Sequence, residues 1–440
     1  MKILLIDPVV RPGSVPLEAR RRIRRGIGYL GLGLCTVAAL TPDDMDVQVV
    51  DEAVEDLDLD DRPDLVGIAV LAPTAPHAYR LAAHYRRAGV PVVLGGIHVS
   101  LNPDEAMPHA DAVVVGEAEL TWPQLIEDFR RNALQRIYRA DGLADFRSSP
   151  LPRRDLLRSS LYRLPGVVQT SKGCPHGCEF CSLPPVVGLK PRYRRVEDVI
   201  DEIRRMPART ICFADENLYS NRSFTAELLR RMIPLNRHWI AETTWHIARD
   251  DEVLSLARQS GCMGLYVGFD SVNQQHHIRK LPAAGDVERT YIQAIRNIQG
   301  QGIAVMAGFV FGLDSDDVGV FERSLRVILE GRADLANFNV ALPYPGTPLF
   351  DRLKTEGRIT EWDWSKYLNP HVCFEPKRMS AEQLRDGIAW AWSELYSAPN
   401  MVRTAISTVL KLGWATGLIT LRANLTLKRD CRLEAARLRR

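Results

Sequence analysis

The sequence predicts an α/β protein built from two successive parallel-sheet units followed by a mainly helical C-terminal segment. Two observations carry this. Short runs of Val, Ile, Leu and Ala recur along the chain, most of them unbroken rather than alternating with polar residues. Such runs are what parallel strands buried on both faces require. Helix-period stretches separate them, so strand and helix alternate over most of the 440 residues.

In the first unit, strands are expected at 2–7, 46–51, 64–71, 92–95 and 112–115, with helices at 27–40 and 77–88. This order predicts a doubly wound sheet, whose ligand crevice lies at the carboxyl ends of its strands. A polar, proline-marked stretch follows, including Ser148-Ser149-Pro150-Leu151-Pro152, and reads as a linker. The second unit has strands at 167–171, 210–214, 240–245, 265–269, 304–311 and 336–342. Helices fit between them at 196–206, 223–232, 251–260, 287–299 and 316–329. Six βα repeats in one run predict a partial (β/α)6 barrel, with its chemistry in the loops after the strands. The expected division is 1–140, a linker over 141–160, the barrel over 161–355 and a helical region over 356–440. Met401 to Leu427 mixes apolar residues with Arg403, Lys411 and Arg422. It reads as a helix packed on the barrel with a solvated basic end, or as an amphipathic helix meeting a membrane or an apolar substrate.

Hydrophobic residues make up 46% and charged residues 25%, the balance of an ordinary globular protein. A net charge of +3 gives no reason to invoke nucleic acid. No run of about 20 apolar residues lacks charge, so a transmembrane span is not expected. The first residues run straight into a strand without a signal-peptide pattern, so a cytoplasmic location is expected. That compartment argues against pairing the eight cysteines as disulfides. Five of them, Cys35, Cys212, Cys262, Cys373 and Cys431, are scattered and read as small buried hydrophobes.

The other three crowd into Cys174-Pro175-His176-Gly177-Cys178-Glu179-Phe180-Cys181, just after the first barrel strand. One short loop can wrap three thiolates round a metal centre, and soft thiolates select zinc, copper(I) or iron–sulfur clusters. A structural zinc needs a fourth ligand, which His176, Cys212 or Cys262 would have to supply. A four-iron cluster on three cysteines leaves one iron open for a cosubstrate.

CxxxCxxC with an aromatic residue before the third cysteine, opening a six-repeat barrel, resembles the radical S-adenosylmethionine (SAM) superfamily. The resemblance implies a [4Fe-4S] cluster on Cys174, Cys178 and Cys181, whose open iron is chelated by SAM. Reductive cleavage then gives methionine and a 5′-deoxyadenosyl radical that abstracts hydrogen from an unactivated carbon. An electron donor such as flavodoxin or ferredoxin is implied with it. Later segments match the family strand by strand. Phe180 lies in the cluster motif, and Asp215-Glu216-Asn217 is expected near the methionine amino group. Asp270-Ser271, in a G-[FIL]-[ED]-S segment, is expected near the ribose and carboxylate. Gly308 is expected near the adenine, and Pro343-Tyr344-Pro345-Gly346-Thr347-Pro348-Leu349 resembles the family's barrel ending.

The first unit resembles the Rossmann-like cobalamin-binding domain that precedes this barrel in one large subgroup. Gly28-Tyr29-Leu30-Gly31, Gly95-Gly96-Ile97-His98, Pro103-Asp104-Glu105 and Val115-Gly116-Glu117-Ala118-Glu119 carry that resemblance. It implies cobalamin contacts from Val9, Val10, Arg11, Thr74, Gly95, Gly96, His98, Gly116 and Glu117. Where a histidine-ligating domain has Asp-x-His-x-x-Gly, this chain has Asp7-Pro8-Val9-Val10-Arg11-Pro12, which excludes a lower histidine ligand from that loop. His98 is offered as a ligand or as a satisfied loop histidine.

The expected function is a cobalamin-dependent radical SAM C-methyltransferase. It would act on an unactivated carbon of a small biosynthetic substrate, by way of the radical and methylcobalamin. Substrate would lie between facing strand ends of the two units. A non-methylating cyclisation, rearrangement or hydroxylation is the alternative, and a zinc-stapled binding protein is the rival of another class. Trp362, Trp364, Trp390 and Trp392 would line an apolar site or belong to the core. The arginines at 20, 21, 22, 24 and 25 would meet ligand carboxylates and phosphates or form a solvated run.

Overall fold

The computed structural model describes residues 1–10, 30–273 and 287–412, together with isolated helical positions between Trp414 and Lys428. Arg11, the arginines at 20–25, Gly28, Tyr29 and Cys431 lie outside the described residues. Among the described residues no helix is long and apolar enough to cross a membrane.

The first sheet has six parallel strands in the order β2-β1-β3-β4-β5-β6. They are β1 (Lys2–Asp7), β2 (Asp46–Asp51), β3 (Leu65–Ala69), β4 (Val92–Gly95), β5 (Ala112–Val115) and β6 (Ile137–Arg139). Strand β1 shows why its apolar run is continuous. Ile3 and Leu5 face one core with Cys35, Trp122 and Leu125, whereas Leu4 and Ile6 face the other with Ala78, Leu81 and Tyr85. Helices α1 (Gly33–Ala39) and α4 (Ala118–Arg130) cover the first face; α2 (Ala75–Arg87) and the short α3 (Ile97–Leu101) lie on the second. The order reverses between β1 and β3, which puts the topological switch point at their carboxyl ends. Strand β6 was not expected. Its three residues bury only Tyr138, too little to stand out from sequence.

The stretch 141–160 is not a solvated tether. It forms short 3-10 turns and buries Ala144, Phe146 and Leu157. Arg154 donates to Val167 O at 2.7 Å, and Arg153 N donates to Cys35 O at 2.9 Å, so both units grip it.

The second sheet is also parallel, with strands in sequence order: β7 (Gly166–Val168), β10 (Thr210–Phe213), β11 (His238–Thr244), β12 (Cys262–Asp270), β13 (Ala304–Phe311) and β14 (Leu335–Val340). Strand β14 does not pair with β7, which leaves the barrel partial. Helices α5 (Val196–Arg205), α6 (Arg222–Met232), α7 (Asp251–Gln259), α8 (Val287–Gly300) and α9 (Val320–Gly331) pack on one side. Helix α9 starts later than expected because Asp316 is spent elsewhere: its buried carboxylate accepts from Gly312 N and Leu313 N, both at 3.1 Å, and locks the turn. Helix α10 (Pro348–Thr355), capped by Thr347, follows β14, and α11 (Ala381–Leu395) and α12 (Ala398–Leu412) form the C-terminal region.

The four tryptophans do not share a site. Trp364 donates to Glu105 at 3.0 Å across the unit boundary, and Trp392 packs on Phe338 and Tyr396. Trp362 and Trp390 are exposed. Cys35, Cys262 and Cys373 are buried thiols, and burial pushes Cys35 up to about 11 and Cys373 up to about 12, which leaves them inert.

Candidate functional site

The cysteine loop leaves β7 and returns through a two-residue antiparallel ladder, β8 (Ser171–Lys172) with β9 (Arg192–Tyr193). Gly173 opens the loop at φ +100°. A β-carbon there would stand 3.1–3.2 Å from the carbonyl oxygens of Val187, Gly188 and Lys190, so only glycine fits without strain. Cys174 N donates to Gly188 O at 3.3 Å, and Cys181 N to Cys178 O at 3.0 Å. All three cysteines are half-buried. Among the described residues no three His, Cys, Asp or Glu side chains converge on one metal position.

Asp215 and Glu216 have different work. The backbone and hydroxyl groups of both Thr170 and Ser171 donate to Asp215 at 2.6–3.2 Å. Asp215 is thus the bracket that holds the base of the cysteine loop, and its oxygens are committed. Burial pushes its pKa upward against those donors. Glu216 instead has a buried Oε2 with no hydrogen-bond partner among the described residues, and beside it Asn217 Nδ2 is in the same state. Burial is the main reason the Glu216 carboxyl is pushed up to about 7, against the pull of the Gly173 amide. Unpartnered buried polar atoms are costly, and these two suit a polar ligand beside the cysteines.

The other expected SAM contacts divide similarly. Asp270 ends β12 at φ +60°, where the ladder with β13 shifts register. Such irregularities re-aim a side chain. Ser271 is buried in a structural net with Asn273 and Asp316. Gly308 has a local reason: a β-carbon there would lie 2.4 Å from Tyr266 Oη. Phe180 packs against the barrel core.

Two groups escaped the sequence reading. Glu179 makes a double contact with Arg352 on α10, both at 2.9 Å, and Arg352 also pairs with Asp314, which holds Arg358 at 2.9 Å. This chain of charges ties the cysteine loop to the barrel ending. Glu242, on β11 beside Tyr266, is open to solvent, yet surrounding protein raises its pKa. The alternation of Ile240 and Glu242 with buried Trp239, Ala241 and Thr243 was the available signal.

A cavity of about 380 Å³ opens at the carboxyl ends of β3, β4 and β5. Of the residues expected to touch a corrinoid, Gly95, Gly96, Gly116 and Glu117 line it. Gly96 (φ +97°) and Gly116 (φ +89°) shape the rim; a β-carbon on Gly96 would stand 2.8 Å from Val70 N. The cavity runs along Leu5, Gly67 and Val114 on the sheet, and its far wall comes from the second unit, through Gln169, Lys172 and Val187. Val9, Val10, Thr74 and His98 do not line it. Val9 N donates to Glu52 at 3.1 Å, and Thr74 Oγ1 bonds the Leu71 backbone. His98 is buried edge-on against Trp364, with Nε2 3.4 Å from Glu105 and neither ring nitrogen hydrogen-bonded among the described residues.

The two units meet through charges. Glu117 accepts from both terminal nitrogens of Arg192, at 2.6 and 2.8 Å, and from Ala144 N at 2.7 Å. Glu119 pairs with Lys172. The carboxyl-end turn of the first sheet therefore holds the ladder that closes the cysteine loop.

Comparison with known proteins agrees with this architecture. Residues 29–126 match the B12 binding domain model, and residues 168–327 match the Radical SAM superfamily model. The chain is 29% identical over 418 residues to the bacteriochlorophyllide d C-12(1)-methyltransferase of Chlorobaculum tepidum, covering 92% of this chain and 90% of that one. It is 26% identical over 376 residues to the anaerobic magnesium-protoporphyrin IX monomethyl ester cyclase of Cereibacter sphaeroides, covering 76% of this chain and 60% of the cyclase. Among solved structures, the radical S-adenosylmethionine methyltransferase TsrM from Kitasatospora setae, with cobalamin and a [4Fe-4S] cluster bound, shares the fold. Its TM-score is 0.67 over 99% of both chains, at 16% identity.

Proposed function

The chain belongs to the B12-binding radical SAM proteins, and from that premise we propose that it is a C-methyltransferase acting on an unactivated carbon of a small biosynthetic substrate. The observation that carries the reading is the shared cavity, with one wall from the first sheet's strand ends and the other from the base of the cysteine loop. Methyl transfer between two cofactors needs such adjacency; a binding protein does not. The similarity to a bacteriochlorophyllide methyltransferase supports the same reaction class.

The residues present fit the groups the family implies. Cys174, Cys178 and Cys181 would hold the cluster, Glu216 and Asn217 the amino-acid end of SAM, and the Gly95-Gly96 and Gly116-Glu117 rims the corrinoid. When bound, these groups supply the electron, the radical and the methyl donor. The protein's part is positional. Asp215 fixes the loop base, the Glu179–Arg352 pair fixes its far side, and the apolar cavity excludes water. An external one-electron reductant such as flavodoxin or ferredoxin is required.

The test is anaerobic reconstitution with iron, sulfide and cobalamin, which should load about four irons and one corrinoid per chain. Turnover of candidate substrates should add one carbon to the product and consume two SAM. Failure to bind corrinoid would sink the methyl-transfer reading. A product without the added carbon would favour the cyclase-type reaction that the relative from Cereibacter sphaeroides suggests.

Glu216 gives a second expected outcome. Its carboxyl, pushed up to about 7, would accept most strongly from the amino group of SAM when ionised. Below that pH it is neutral and the charge-assisted hydrogen bond is lost, so SAM affinity should weaken as pH falls through about 7. Glu216→Gln should bind SAM more weakly and flatten the pH profile. Equal pH dependence in both proteins would remove Glu216 from the role.

A further inference from the structure

Helix α12 and the described positions after it leave several large apolar residues exposed. Helix α12 turns Met401, Ser407 and Thr408 toward the protein, and Thr408 Oγ1 donates to Asp334 at 2.6 Å. Described positions beyond it return along the same face. Gly417 packs on Val409, Asn424 Nδ2 donates to Asp334 O at 3.4 Å, and Lys428 Nζ lies 3.9 Å from Met401 Sδ. Hydroxyl and amide groups thus face inward. Facing solvent are Val402 (58% exposed), Ile406 (55%), Leu410 (80%), Trp414 (77%), Leu418 (55%) and Leu425 (52%).

On α12, Val402, Ile406 and Leu410 follow a four-residue step, which on a helix makes one ridge, and Trp414 and Leu418 on the returning positions add exposed apolar surface near its C-terminal end. A contiguous apolar ridge of this kind is not tolerated in water without a partner. The charge around it selects that partner. Between Glu394 and Asp430 the sequence has five cations, Arg403, Lys411, Arg422, Lys428 and Arg429, and no acid. A second copy of the chain would bring like charges together across the contact. An anionic surface would neutralise them.

We propose that this helical pair is a docking surface for an anionic lipid bilayer. It would lie in the interface with Leu410 and Trp414 at the acyl boundary and the exposed Arg403 and Arg422 at the headgroup phosphates. This is peripheral contact and needs no spanning segment. An enzyme so placed would meet a lipophilic substrate where such molecules partition.

The full-length, cluster-loaded protein should be sedimented with phosphatidylcholine vesicles, with and without about one third phosphatidylglycerol. Binding should favour the anionic vesicles by about tenfold or more, and fall at about 1 M salt, where screening is nearly complete. Leu410→Ser with Trp414→Ser should lower binding by about tenfold while iron content stays unchanged. Arg403→Glu with Arg422→Glu should lower it independently. Absence of binding to either vesicle would overturn the proposal, and so would equal binding to both. A lipid-free dimer that the Leu410→Ser/Trp414→Ser protein fails to form would overturn it in favour of self-association. None of these readouts needs turnover, so they stand apart from the proposed reaction.

Discussion

Replacing Cys178 with Ala should give a folded protein that binds corrinoid but assembles no stable four-iron cluster and forms no 5′-deoxyadenosine. Cys178 sits at the middle of the loop, and the loop's base is held without it. Asp215 grips Thr170 and Ser171, the β8–β9 ladder closes the loop, and Arg352 holds Glu179 from the far side. Removing one thiol therefore takes away a ligand and leaves the scaffold in place. The cavity on the first sheet has no wall from Cys178, so corrinoid affinity should change little. Iron and sulfide analysis, corrinoid absorbance and chromatography of 5′-deoxyadenosine measure the three quantities separately. A variant that still holds four irons and cleaves SAM would remove Cys178 from the cluster.

Arg192→Ala should be among the most damaging substitutions outside the cysteine loop. Glu117 is almost fully buried, with 4% of its side chain exposed, and Arg192 supplies two of its hydrogen bonds. Taking the arginine away leaves an uncompensated buried carboxylate, at a cost of about 3–5 kcal/mol. Because Glu117 also lines the cavity, corrinoid binding should weaken with stability. Arg192→Lys should recover only part, since an ammonium cannot reproduce the planar two-point contact. Arg231→Ala is the control: its pair with Glu197 lies on the surface and should leave the melting temperature nearly unchanged. If the two alanine variants melt together and bind corrinoid equally, the buried pair has no such role.

Much of this architecture was legible because both sheets are buried on two faces. Runs such as Lys2–Asp7 and Ala304–Phe311 stand out whenever neither face can afford polar residues. The cysteine motif was legible because its ligands are close in sequence. What was not legible depends on distant partners. Asp215 and Glu216 are adjacent acids in the sequence, and only the position of Thr170 and Ser171 shows which one is consumed by structure. For His98 the sequence left ligand and loop histidine both open, and only the structure shows it buried beside Trp364 and Glu105 and outside the cavity lining. The Glu179–Arg352 pair joins residues 173 positions apart, beyond any local pattern. Asp316 carries a helix-start signature, but its side chain bonds the turn before it.

The charged seam between the units also bears on how such proteins can be recombined. Glu117 and Glu119 shape the corrin-side cavity and at the same time anchor Arg192 and Lys172. A chimera that takes its first 140 residues from this chain and its barrel from a relative would keep the seam only where the relative supplies an arginine and a lysine at the places of Arg192 and Lys172. Each unmatched group would be stranded in a dry interface. The two halves are thus heritable only as a pair, and a graft between relatives must carry all four side chains across together.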